Sequence, residues 1–108
     1  SFKAGRKLEA PVTTQLADGM ACRVPDEESL AIVLREADDV IAVTDTEVAQ
    51  AMRMLFACTH NVAEGAGAAS MAAAAQQREK WAGKVVGTTL CGGNVDSDVF
   101  ARVLSGEI

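Results

Sequence analysis

Two short apolar runs constrain this chain most: Val40-Ile41-Ala42-Val43 and Lys84-Val85-Val86-Gly87-Thr88-Thr89-Leu90-Cys91. Both are brief and carried by β-branched residues, which favours strands over buried helix. Each is followed by a helix-start signal, Thr44-Asp45-Thr46-Glu47 after the first and Asp96-Ser97 after the second. A strand that feeds a helix and returns to a strand is the unit of a parallel sheet. The expected order is helix, strand, helix, helix, strand, helix, an α/β arrangement with at least two parallel strands. Parallel strands ordinarily lie inside a sheet covered on both faces, and two alone leave open edges. The chain is therefore expected to be part of something larger.

The helix signals are local and specific. Asp26 can cap a helix whose apolar face is Leu30, Val33, Leu34 and Ala37, with Glu27 and Glu28 at its positive end. Thr44 and Glu47 have capping-box spacing. Val48, Met52, Leu55, Phe56 and Thr59 mark the buried face of the helix they open, and His60-Asn61 ends it. A third helix starts near Glu64 or Gly65 and runs through an alanine-rich stretch to a polar end at Gln76 to Lys80, with Gly83 as terminator and Trp81 as a packing residue. Alanine gives it high propensity and almost no bulk, so it can lie very close to a neighbour. The last helix carries Val99, Phe100, Val103 and Leu104 and stops at Gly106. Residues 1–25, punctuated by Gly5, Pro11, Gly19 and Pro25, read as loop with one helical turn.

Composition excludes several classes. The 108 residues, 49% hydrophobic and 23% charged, suit a globular chain of one domain at most. Ten basic against 15 acidic residues argue against nucleic acid, whose phosphates require clustered Lys and Arg. The longest apolar stretch, Ala66 to Ala75, is too short and too weakly hydrophobic to cross a membrane. Three separated cysteines, Cys22, Cys58 and Cys91, read as reduced thiols in the cytoplasm, and no secretory signal opens the chain. A start at Ser1 without an initiator Met suggests a processed chain or a fragment. His60 is the single histidine, so neither a His-rich metal site nor a zinc site is expected.

Two stretches carry candidate chemistry. Ligands of open α/β sheets sit beyond the carboxyl ends of strands, where Cys91-Gly92-Gly93-Asn94 falls. The glycines let backbone approach a ligand closely, or simply turn the chain into the next helix. In Asn61-Val62-Ala63-Glu64-Gly65-Ala66-Gly67-Ala68-Ala69, a glutamate stands at the mouth of a smooth helix. Glu64 is either a carboxylate facing a cofactor or a favourable charge at a helix start. Neither GxGxxG nor a P-loop is present.

Four segments in order resemble one family. Leu16-Ala17-Asp18-Gly19-Met20-Ala21 is similar to its Ala-Asp-Gly loop, and Ala63-Glu64-Gly65-Ala66-Gly67-Ala68-Ala69 to its glutamate-led helix start. Leu90-Cys91-Gly92-Gly93-Asn94-Val95-Asp96 resembles its Ser-Gly-Gly-Asn turn, and Asp39-Val40-Ile41-Ala42-Val43-Thr44 before Glu47 resembles a fourth stretch. The family is the fold type II pyridoxal-phosphate enzymes, in the threonine/serine dehydratase and serine racemase branch. The resemblance spans essentially all 108 residues.

The resemblance implies a parallel-sheet, three-layer piece of the tryptophan synthase β-subunit-like fold, with residues 1–108 as the C-terminal portion of the large cofactor-binding domain. It implies pyridoxal 5'-phosphate as cofactor, with Cys91, Gly92, Gly93, Asn94 and Glu64 at its site. Cys91 would stand at the ring nitrogen where the family has Ser, as a weaker and longer hydrogen-bond partner. A neutral partner leaves that nitrogen unprotonated, which suits β-elimination. Asp18 and Gly19 would lie on a loop near the cleft. The implied reaction turns a β-hydroxy amino acid into a 2-oxo acid and ammonia, in a homo-oligomer.

Ser1-Phe2-Lys3-Ala4-Gly5-Arg6 superficially copies the family's lysine segment, but Lys3 lies only fifteen residues before Asp18, where the family has most of two domains. The cofactor lysine and the phosphate loop are expected upstream, in the remainder of the catalytic chain, so these residues alone are expected to be inactive. Serine racemase and hydroxyaspartate dehydratase remain open as alternatives, and so does a non-catalytic ligand-binding or interaction module derived from the fold.

Overall fold

A computed structural model describes residues 1–108. Its regular elements are a 3₁₀ turn, Asp18–Met20, and four helices: α1 (Glu27–Glu36), α2 (Asp45–Thr59), α3 (Gly65–Gln76) and α4 (Ser97–Ser105). No helix is long and apolar enough to cross a membrane. The residues divide into two compact units, one of 1–13 with 21–42 and one of 14–20 with 43–108.

The helices begin where their caps require. The Asp26 side chain accepts from the Ser29 N–H at 2.9 Å and opens α1. At α2 the reciprocal box is complete: the Glu47 N–H donates to Thr44 Oγ1, and the Thr44 N–H donates to Glu47 Oε2 at 2.7 Å. His60 closes α2 in the left-handed conformation, at φ 57°, and Gly106 closes α4 at φ 83°. Asp96 holds the N-cap position of α4, although its side chain makes no capping bond. The 3₁₀ turn is the helical turn expected within the first 25 residues. α3 ends earlier than its polar tail suggests. Beyond Gln76 the backbone closes i to i+3 bonds, from Lys80 to Gln77 and from Lys84 to Trp81, and Gly83 turns at φ 77°.

The core belongs to the second unit. α2 packs along α3, and α4 joins α2. Val48, Ala49, Ala51, Met52, Ala63, Ala68, Ala72 and Val103 form the buried cluster. The alanines of α3 admit α2 closely, so Met52 sits fully buried between them (0% exposed). Phe56 meets Phe100 edge-on, with centroids 5.5 Å apart. Arg53 ties α4 down: Nη1 donates to the carbonyls of Val103 and Ile108 at 2.8 and 2.9 Å. Thr59, expected on the buried face of α2, is exposed.

The two expected strands find no partner within residues 1–108. Neither 40–43 nor 84–91 forms a ladder, and all regular structure in the chain is helical. A strand exists only where a neighbour fills its hydrogen bonds. In this chain Val40 N–H donates to Asp39 Oδ1, and Thr89 bonds to the Ser70 side chain. The apolar side chains expected inside a sheet are in water, with Val85 fully exposed (104%) and Val40, Ile41, Val86 and Leu90 exposed as well.

Candidate functional site

The site is a junction between the start of α3 and the segment 89–94. Glu64 is the N-cap residue of α3, and its side chain makes no capping bond there. It crosses to the glycine turn instead. The Asn94 N–H donates to Glu64 Oε2 at 3.1 Å, and the Glu64 N–H donates to the Gly92 carbonyl at 3.1 Å. One residue thus grips the turn by both backbone and side chain.

Two further residues of α3 hold the same segment. A Cβ on Gly67 would lie 1.9 Å from the Cys91 carbonyl oxygen, so that carbonyl rests directly on the helix backbone. One turn further on, Ser70 Oγ donates to the Thr89 carbonyl at 2.8 Å and accepts from the Thr89 N–H at 3.1 Å. Glu64, Gly67 and Ser70 recur at i, i+3 and i+6, so one stripe along α3 sets the register of residues 89–94.

The glycines have specific partners. Gly92 adopts φ 75°, a left-handed conformation that costs other residues roughly 1–2 kcal/mol. Its missing Cβ would meet Glu64 Oε1 at 2.6 Å, and that of Gly93 would meet the Val62 carbonyl at 3.0 Å. The space freed by these two glycines is filled by the protein itself. The 3₁₀ turn joins from the other side, with Gly19 packed on Ala66. Asp18, Glu64, Asn94 and Asp96 border one open hollow of about 270 Å³.

All five residues singled out in the sequence therefore meet: Glu64, Cys91, Gly92, Gly93 and Asn94. Cys91 is exposed with a free thiol. Gly67 and Ser70 were not singled out. Gly67 had a signal, since glycine inside an alanine helix costs about 1 kcal/mol and marks a close approach. Ser70 had none, because its partner lies 19 residues away. His60 ends α2 beside Phe56, at a ring distance of 6.2 Å, and takes no part in the site.

The family profile described as pyridoxal-phosphate dependent enzyme matches residues 1–92. The chain belongs to the pyridoxal-phosphate dependent enzymes. It is 32% identical over 105 residues to an L-threonine ammonia-lyase of Thermotoga maritima, covering 97% of this chain and 26% of that protein. It is 32% identical over 107 residues to an L-threo-3-hydroxyaspartate ammonia-lyase of Saccharomyces cerevisiae, covering 99% of this chain and 33% of that protein. The structure of maize serine racemase superposes with a TM-score of 0.81 at 28% identity, over 100% of this chain and 35% of that one. The chain thus spans about a quarter to a third of the relatives it matches.

The residues present suit one edge of a pyridoxal-phosphate ring. A thiol is both a weak donor and a weak acceptor, and the Cys91 thiol is accessible at the end of a segment fixed to α3. Glu64 Oε2 is already engaged by the Asn94 N–H, so the carboxylate's first tie is to the turn.

Proposed function

We propose that residues 1–108 are the C-terminal portion of the large catalytic domain of a threonine/serine dehydratase-like lyase. The whole enzyme converts a β-hydroxy amino acid to a 2-oxo acid and ammonia. It acts in the cytoplasm as a homo-oligomer, and these residues alone are inactive. The observation that carries the reading is the turn at Cys91–Asn94, gripped by Glu64 and presenting an accessible thiol, in a chain related to ammonia-lyases over nearly its full length. Its three unpaired cysteines suit a reducing compartment.

The remainder of the catalytic chain supplies the lysine and the phosphate loop. It also completes the sheet. The exposed apolar runs at 40–43 and 84–91 become strands of a parallel, three-layer fold once neighbours cover them, which recovers roughly 25 cal/mol per Å² of apolar surface buried. Pyridoxal phosphate, when bound, supplies the electron sink for the chemistry at the amino acid. Cys91 would hold the ring nitrogen through its thiol, a weak hydrogen-bond partner that would give that nitrogen little drive to hold a proton. Gly92, Gly93 and Asn94 set the position of the thiol, and Glu64 lies beside them. Serine racemase activity is the second reading, favoured by the superposition on the maize enzyme.

Intact mass and absorbance of the protein from its native source test the proposal together. We expect a chain several times 11.2 kDa carrying the visible absorption of bound pyridoxal phosphate. A mass near 11.2 kDa without that band would make the chain a non-catalytic interaction module. In the whole enzyme, Cys91→Ser retains turnover. Cys91→Asp lowers it, because a carboxylate stabilises a proton on the ring nitrogen. Equal, near-normal turnover of both variants would remove Cys91 from the ring.

A further inference from the structure

We propose that Glu64 is a positioning residue: it acts through its hydrogen bond to the Asn94 amide, which fixes the turn that presents Cys91, and not through its charge on the cofactor. The inference rests on the dehydratase-like reading for its consequence at the cofactor, but the brace itself is a property of the protein alone.

Three observations converge on it. The Glu64 N–H and side chain bond to opposite ends of the same three-residue turn, at Gly92 O and Asn94 N. The side chain leaves its own helix end uncapped to do so. Gly92 has no Cβ where one would strike Glu64 Oε1 at 2.6 Å, so the turn is shaped around the carboxylate. Just upstream, the carbonyls of Cys91 and Thr89 are seated on Gly67 and Ser70. Glu64 closes the far end of that row. With the side chain removed, the backbone bond still holds Gly92, but the Asn94 amide loses its partner.

The two roles predict opposite rankings of two conservative variants. Glu64→Gln keeps the length and an acceptor oxygen but loses the charge. Glu64→Asp keeps the charge but is one methylene too short to reach Asn94. The first readout is hydrogen exchange of the Asn94 amide in the full-length protein without cofactor. The second is the affinity and absorption spectrum of added pyridoxal phosphate. We expect Glu64→Gln to stay within about threefold of wild type in both, because an amide oxygen still accepts the bond. We expect Glu64→Asp and Glu64→Ala to exchange at least about tenfold faster at Asn94, the loss of one charge-assisted hydrogen bond. They should bind the cofactor correspondingly more weakly, with a shifted spectrum.

If Glu64→Ala does not fold, the Gln and Asp variants still decide. Glu64→Gln worse than Glu64→Asp at the cofactor, with Asn94 still protected, would overturn the proposal in favour of a charge role. Unchanged Asn94 exchange in Glu64→Asp would overturn it outright. A wild-type protein that binds no pyridoxal phosphate would sink the functional reading, and the exchange measurement would still judge the brace.

Discussion

Helices α1 and α3 reverse the ranking that their sequences suggest. α1 has a clean apolar face, Leu30, Val33 and Leu34, with Ala37 at its C-cap, yet only Leu30 is buried within its unit. α3 is apolar all round and shows no preferred face, yet Gly65, Gly67, Ala68, Ala69 and Ala72 are buried in the other unit. A periodic pattern reports which face is to be covered, and it does not report whether the covering residues are present. Small side chains report something different, namely how near a neighbour can come. α3 finds its neighbours inside the chain, in α2 and in residues 89–94, whereas the apolar face of α1 faces water here.

The contrast breaks first at Gly67. Gly67→Ala improves helix propensity by about 1 kcal/mol. The added Cβ nevertheless falls 1.9 Å from the Cys91 carbonyl oxygen and 2.9 Å from that of Gly92. We expect a net loss of about 2–4 kcal/mol, read as a lowered urea midpoint of the whole protein. A neutral result would mean that α3 does not carry the turn on its backbone.

A pair of truncations sharpens it. Met52→Ala empties a fully enclosed site and is expected to cost about 2–4 kcal/mol. Leu34→Ala, on the open face of α1, is expected to cost about 2 kcal/mol in the whole enzyme, where the remaining chain covers that face. A change within about 0.5 kcal/mol would leave α1 as a solvent-facing helix and contradict the proposed architecture.

The smallest effect concerns the helix caps, Asp26 at α1 in one unit and Thr44 with Glu47 at α2 in the other. Ser29 holds the Asp26 carboxyl below its ordinary value of 3.8, chiefly through its backbone N–H. The Thr44 N–H, aided by the Gln76 amide, holds Glu47 below 4.5. Both folded values are depressed, so the stabilisation is complete above the unfolded values and fades as pH falls through the folded ones. Amide protection at Ser29 and Thr44 should therefore decline on acidification, and Glu47→Gln should flatten the decline at Thr44. Protection of Thr44 that persists through the acid range in the parent protein would break the reciprocal cap.

What the sequence made legible was local. Asp26, Thr44 with Glu47, and Gly106 act within a few residues, so spacing alone places the ends of three helices. The site residues were legible as a motif, and Glu64 and Asn94, thirty residues apart, do meet. What stayed hidden depends on partners. The runs 40–43 and 84–91 have strand composition, but composition supplies no neighbour to pair with, and Val85 stands in water. The polar end of α3 has helix-forming residues through Lys80, yet successive i to i+3 bonds end the helix at Gln76.

The pair of hydrogen bonds between Ser70 and Thr89 limits where a sheet can grow. In a strand, the N–H and C=O of one residue point to the same side, and the sides alternate along the chain. Ser70 takes both groups of Thr89. A strand joining this segment at that point must therefore approach from the opposite edge, through Thr88 and Leu90. At Thr89 one serine hydroxyl thereby occupies the flank that a pairing strand would otherwise use.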